Sequence, residues 1–195
     1  SAHVFALYLS ESTHLTKTYE EADDLLYLDG PLYPLGLLRW LDVDPTFGRS
    51  DLTGEIASNY FGTYERALEE GVPVVGFVKN PSCSRVVHRL RDIGPPVPWS
   101  NDPSFFRHFL THEASDDEEA GDSKTDNDLT FTNWFVSRSG TDKTMSKRGD
   151  ALGIDRTFSP EDYEVAFLPV YDPRTDVLYR VESPAAFVRD KETRE

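Results

Sequence analysis

The chain has 195 residues, enough for one domain with a real core, and its 38% hydrophobic and 12% aromatic content excludes a disordered polymer. No apolar run approaches the ~20 residues of a membrane span, and no basic segment followed by an apolar one opens the chain as a secretory signal would. The 35 acidic residues against 20 basic ones give a net charge of −15, which suits a surface built for a high-salt cytoplasm. That balance removes a long-range basic field as a means of holding DNA; it does not exclude DNA held by local cations and metal ions.

Residues 3–13, HVFALYLSEST, fit a strand and a short helix equally well, and a short helix is expected from Lys17 to Asp24. Leu25–Leu28 is an apolar run of strand length that Gly30 and Pro31 stop, since glycine tolerates positive φ and proline has no N–H for a ladder. Asp29 therefore stands at the carboxyl end of a core strand, where open α/β sheets bind ligands. Pro31–Pro34 turns the chain, Leu35–Leu41 is apolar enough to pack on the core, and residues 42–58 read as a polar surface excursion.

Tyr60–Glu70 reads as a helix with Tyr60, Tyr64, Ala67 and Leu68 on one face and Gly71 as its stop. Val72–Val78 is a second buried strand, ending in Lys79. Pro81-Ser82 opens a helix carrying Val86, Val87, Leu90 and Ile93, which ends before Gly94-Pro95-Pro96. Strand, helix, strand, helix is the pattern of parallel α/β organisation.

Phe105–Leu110 reads as helix, and Glu113–Asp128 as an acidic, mobile loop. Leu129–Val136 reads as one strand. Ser137–Thr157 gathers Lys143, Lys147, Arg148 and Arg156 and reads as a solvated loop, with phosphate contact as its alternative. Tyr163–Tyr171 and Asp176–Val181 form a hairpin across residues 172–175. The chain starts at Ser1, and its one methionine is Met145, so a fragment or processed segment of a longer chain is expected.

Metal-dependent phosphodiester cleavage needs two or three carboxylates converging on one or two divalent ions. Asp29 is placed for that role, or else caps the turn that follows it. Glu11, at the end of an apolar run, joins Asp29 if the two segments are neighbours. Lys79 is one of few lysines, with Lys17, Lys124, Lys143, Lys147 and Lys191. Its compact charge either holds a scissile phosphate, steadies a carboxylate, or snorkels to water. His108 and His112 are four apart, but HExxH is absent, and His88 reads as helix packing. No phosphate loop, GxSxG elbow or CxxC occurs, which demotes nucleotide hydrolysis, serine hydrolysis and thiol chemistry. The single Cys83 excludes an internal disulfide, points to a reducing compartment and reads as packing.

Four segments in order resemble the NurA family of archaeal DNA-repair nucleases: LYLDGPLYP at 26–34, GVPVVGFVK at 71–79, FTNWFV at 131–136 and YRVESP at 179–184. The resemblance spans about residues 7–187, and the acidic composition fits a haloarchaeal member. It implies an α/β, RNase H-like core, a mixed sheet flanked by helices, in a single NurA-like domain that lacks N-terminal and C-terminal parts. It also implies a carboxylate cluster for Mn²⁺ or Mg²⁺, cleavage of single-stranded DNA, 5′-to-3′ end resection, a homodimer and a hexameric HerA translocase as partner. By residue, Asp29 matches the family's metal-binding aspartate, Glu11 falls where an acidic residue ahead of it is expected, and Lys79 matches the lysine ending the GFVK strand. The family's first catalytic aspartate, in an early Asp-Gly-Ser strand, and its late histidine have no counterpart here, so the chain holds part of an active site. A metal-dependent DNA nuclease is the leading reading. Its rivals are an inactive RNase H-like docking module that binds a DNA translocase, and a small-molecule hydrolase on the same scaffold, which lacks a nucleophile motif.

Overall fold

A computed structural model describes residues 2–22, 24–34, 51–116, 128–137 and 157–189. The described strands are β1 (Leu26–Leu28), β2 (Val74–Val78), β3 (Thr130–Phe131), β4 (Phe135–Ser137), β5 (Val165–Asp172) and β6 (Val177–Pro184). They form one open sheet in the order β1-β2-β6-β5-β3, with β4 also paired to β5. The β1–β2 pair is parallel and the β3–β5 pair antiparallel, so the sheet is mixed. Helices α1 (Ala2–Tyr19), α2 (Asp51–Glu70), α3 (Arg85–Ile93), α4 (Asp102–Asp116) and the short α5 (Ala185–Val188) complete a mixed α/β fold in which helices flank the sheet. Among the described residues no helix is long and apolar enough to cross a membrane. The chain divides into two compact units. The first comprises Ser1–Gly76, Val136–Ala166 and Glu182–Glu195, and the second Phe77–Phe135 and Phe167–Val181.

In the first unit the ambiguous opening run resolves as helix. Phe5, Ser12, Leu15 and Tyr19 are buried at three-, four- and seven-residue spacings, one face of a helix rather than alternate positions of a strand. The helix stops at Tyr19, so the separate helix expected from Lys17 to Asp24 does not form. Helix α2 begins nine residues before the expected Tyr60, at Asp51. Thr53, Ile56 and Ala57 are buried and share the face of Tyr60, Phe61, Tyr64 and Ala67, so the second half of the expected polar excursion is core helix. A polar seam joins α1 to α2: Asn59 Nδ2 donates to Ser12 Oγ at 3.2 Å, and the Thr16 and Thr63 hydroxyls share a 3.5 Å hydrogen bond. Gly71 ends α2 at φ +74°, which lets the Val72 N–H reach the Ala67 carbonyl at 3.0 Å.

In the second unit, α3 buries Val87, and its amide donates to the buried Asp102 carboxylate at 2.9 Å. Helix α4 is longer than the expected Phe105–Leu110 at both ends. Asn101 Oδ1 accepts the Ser104 N–H at 2.9 Å as an N-cap, and the helix runs on to Asp116, into the stretch expected as acidic loop. The expected strand Leu129–Val136 is split. The pairs Thr130–Tyr171 and Phe131–Val170 put Thr132 opposite Pro169, which has no N–H to give, and the ladder breaks there. Asp172 Oδ1 accepts the Arg174 N–H at 3.0 Å in the hairpin turn, and Asp176 takes a positive φ of 55°. The stretches 35–50, 117–127 and 138–156, with the expected apolar packing at Leu35–Leu41 and the basic cluster Lys143, Lys147 and Arg148, lie outside the described residues, as does Arg156.

Candidate functional site

Asp29 follows β1 directly, and its exposed carboxylate lines an open groove of about 590 Å³ in the first unit. Glu11, exposed on α1, lines the same groove, together with His14, Tyr8 and Tyr60. The helical form of residues 2–19 is what makes this possible, because it sets Tyr8, Glu11 and His14 on one face at three-residue steps. Burial raises the Tyr8 and Tyr60 phenols above their ordinary range, and the nearby Glu11 charge raises both further. These phenols are therefore neutral hydroxyls at neutral pH.

The loop after Asp29 is held on every side. Leu32 and Tyr33 are buried, and both main-chain groups of Leu32 are satisfied by side chains. Its N–H donates to Glu182 Oε2 at 2.9 Å, and its carbonyl accepts from the Tyr64 hydroxyl. The Tyr33 hydroxyl donates to the Tyr163 carbonyl at 2.8 Å. Gly76 of β2 is packed so closely that a Cβ there would stand 2.8 Å from the Gly30 carbonyl oxygen and 2.9 Å from the Leu32 nitrogen. An exposed carboxylate thus rests on a loop held by hydrogen bonds and close packing, an arrangement that suits a binding group.

Glu182 was not among the residues singled out from the sequence. Its signal was present, as an acid inside the strand Val177–Pro184 where its neighbours Ser183 and Pro184 are also buried. Its partner at Leu32 is not legible from that pattern.

Carboxylate oxygens suit a hard divalent cation, and Mg²⁺-like ions keep several waters while binding through one or two carboxylates. Asp29 and Glu11 fit such a hydrated ion. Among the described residues no group of three or more His, Cys, Asp or Glu side chains is gathered to hold a metal, so a closed protein cage of the zinc type does not fit.

Lys79, exposed just after β2, belongs to the second unit. There it lines a groove of about 520 Å³ with Phe77, Asn80, Asp172, Arg174 and Tyr179. His108 packs its ring against Trp99 at 5.1 Å, and His88, expected to pack, is exposed. Arg180 Nη1 donates to the Cys83 sulfur at 3.2 Å, and burial pushes that thiol up, which keeps it protonated and inert.

The family model described as the NurA domain matches residues 5–195. No curated protein and no solved structure matches the chain.

Proposed function

The chain belongs to the NurA family, which makes it a nuclease of DNA double-strand-break repair, and from that premise we propose a metal-dependent deoxyribonuclease whose metal is held by Asp29 and Glu11. The observation that carries this reading is the shared groove. Two carboxylates far apart in sequence line one solvent-open cleft, and one of them sits on a loop fixed by Glu182, Tyr64 and Gly76. A divalent ion, Mn²⁺ or Mg²⁺, supplies an activated water and neutralises charge on the phosphate.

The side chains do the rest. Asp29 and Glu11 bind and orient, and His14 and the neutral Tyr8 and Tyr60 phenols offer hydrogen bonds along the cleft. Lys79, in the groove of the second unit, contacts phosphate or steadies a carboxylate there. The substrate is single-stranded DNA and duplex ends, cut endonucleolytically and from 5′ to 3′ during end resection. An RNase H-like arrangement is supported by the mixed sheet with a carboxylate at the end of a strand. A homodimer working with a HerA-type translocase completes the proposal. Its support is the family membership. The acid-rich composition supports a cytoplasm of high salt, as in a halophilic archaeon.

The test is cleavage of labelled single-stranded DNA in molar KCl with Mn²⁺. Chelator and Asp29→Ala are each expected to lower the rate by about 100-fold or more, with circular dichroism unchanged. Normal cleavage by Asp29→Ala overturns the assignment. Absence of cleavage by every well-folded form favours the docking-module reading, which predicts translocase binding that chelator leaves intact.

A further inference from the structure

We infer that the groove beside Lys79 in the second unit seats one nucleotide of a single DNA strand, with the base against the Phe77–Tyr179 ring pair and the phosphate on Arg174. The choice of DNA rests on the nuclease reading; the stacking and charge arguments do not.

Three observations converge. The Phe77 and Tyr179 rings stack at 5.1 Å with 27° between their planes, and both line the groove and remain half-buried. A paired aromatic surface facing an open cleft accepts any base, because every base has a π-face. Arg174 is held in place beforehand. Its Nε donates to Asp172 Oδ1 at 2.8 Å and its Nη2 to Asp172 Oδ2 at 3.0 Å, while Asp172 is itself buried. The two-point grip leaves the far edge of the guanidinium on a side chain that is 57% exposed. A fixed guanidinium with donors remaining is suited to a phosphate oxygen and loses little freedom on binding it.

The third observation is charge. Lys79 and Arg174 face the groove against the single carboxylate of Asp172, in a chain whose net charge is −15. The groove is therefore locally cationic on an acidic protein, and Asn80 adds an amide for a base edge. At about 520 Å³ it lies in the range of sites that hold nucleotide-sized ligands.

The experiment is binding of a fluorescein-labelled oligothymidylate of about 12 nucleotides to the full chain in EDTA, read by anisotropy. A second probe of equal length carries abasic positions. The parent is expected to prefer the thymidylate by roughly tenfold, and Tyr179→Leu to lose that preference while Tyr179→Phe keeps it. Arg174→Gln is expected to weaken both probes alike and to reduce the salt slope by about 0.7. Circular dichroism on each variant separates lost binding from lost fold. The inference is overturned if folded Tyr179→Leu discriminates as the parent does, or if the parent binds both probes equally. Cleavage that depends on Asp29 alongside unaltered binding by Tyr179→Leu removes the groove and keeps the nuclease. Binding that depends on Tyr179 without cleavage under any metal removes the nuclease and keeps the groove.

Discussion

The two units use their aromatics differently, although each holds both phenylalanine and tyrosine among its buried residues. In the first, Tyr33, Tyr64 and Tyr163 are fully buried, and each hydroxyl has a named acceptor: the Tyr163 carbonyl, the Leu32 carbonyl and the Glu65 carboxylate. In the second, Phe106 packs on Phe135 at 5.4 Å, Phe135 stacks on Phe167 at 5.4 Å, and the Arg180 guanidinium lies 4.1 Å over the Phe167 ring. Phenylalanine would fill the first core nearly as well. What tyrosine adds is direction, because each hydroxyl fixes a particular main-chain or side-chain atom, and the Leu32 carbonyl so fixed belongs to the loop carrying Asp29. The phenylalanine rings of the second core fill space without fixing particular atoms; there the backbone is set by Asn101, Asp102 and Asp172.

The contrast can be broken from the phenylalanine side first. Phe106→Ala should lower stability by about 3–5 kcal/mol in urea unfolding, the usual result of emptying an aromatic site, and Phe106→Leu by much less. Equal losses from the two would mean that the second core is as directional as the first. Glu182→Leu comes next. It leaves the Leu32 N–H unsatisfied in the interior, which costs about 1–3 kcal/mol, and it frees the Asp29 loop. Cleavage should fall by about 100-fold, since an ångström of misplacement is enough for that. Glu182→Gln keeps an acceptor oxygen and should restore most of the rate, a rescue that a space-filling role would not show.

The smallest effect is on pH. Burial holds the Tyr33 and Tyr64 phenols well above their ordinary value of 10.0. The unfolded chain loses these protons near pH 10 while the folded chain keeps them, so stability falls as pH rises beyond that point. The expected slope is up to about 1.4 kcal/mol per pH unit for each tyrosine, with no contribution from either below pH 10. Urea midpoints measured from about pH 9 to 11 in parent and Tyr64→Phe would show the parent losing stability faster.

Much of the frame was legible in sequence because it is local. Gly71 stops α2 where expected, the apolar run 74–78 is a strand, and the hairpin turns at residues 173–176, one residue beyond the expected 172–175. The misreadings come from partners that sequence does not display. HVFALYL is compatible with either period until α2 is seen to cover its Phe5, Ser12 and Leu15 face. Leu129–Val136 is a sound strand by composition, broken by a proline on β5. Of the candidate site, Asp29 was legible from the strand and its stop. Its proximity to Glu11 was only a possibility of the fold, and the hold of Glu182 on Leu32 lies across the whole topology.

That hold joins residues 150 positions apart in the chain. During synthesis the Asp29 loop leaves the ribosome long before its clamp, with the whole second unit translated in between. Throughout that interval the Glu182 carboxylate is not there to accept the Leu32 amide, so the nascent protein carries its acidic groove without this brace. The setting of this loop is thus timed by β6, the last of the described strands to be made, and the brace is among the final contacts the chain can form.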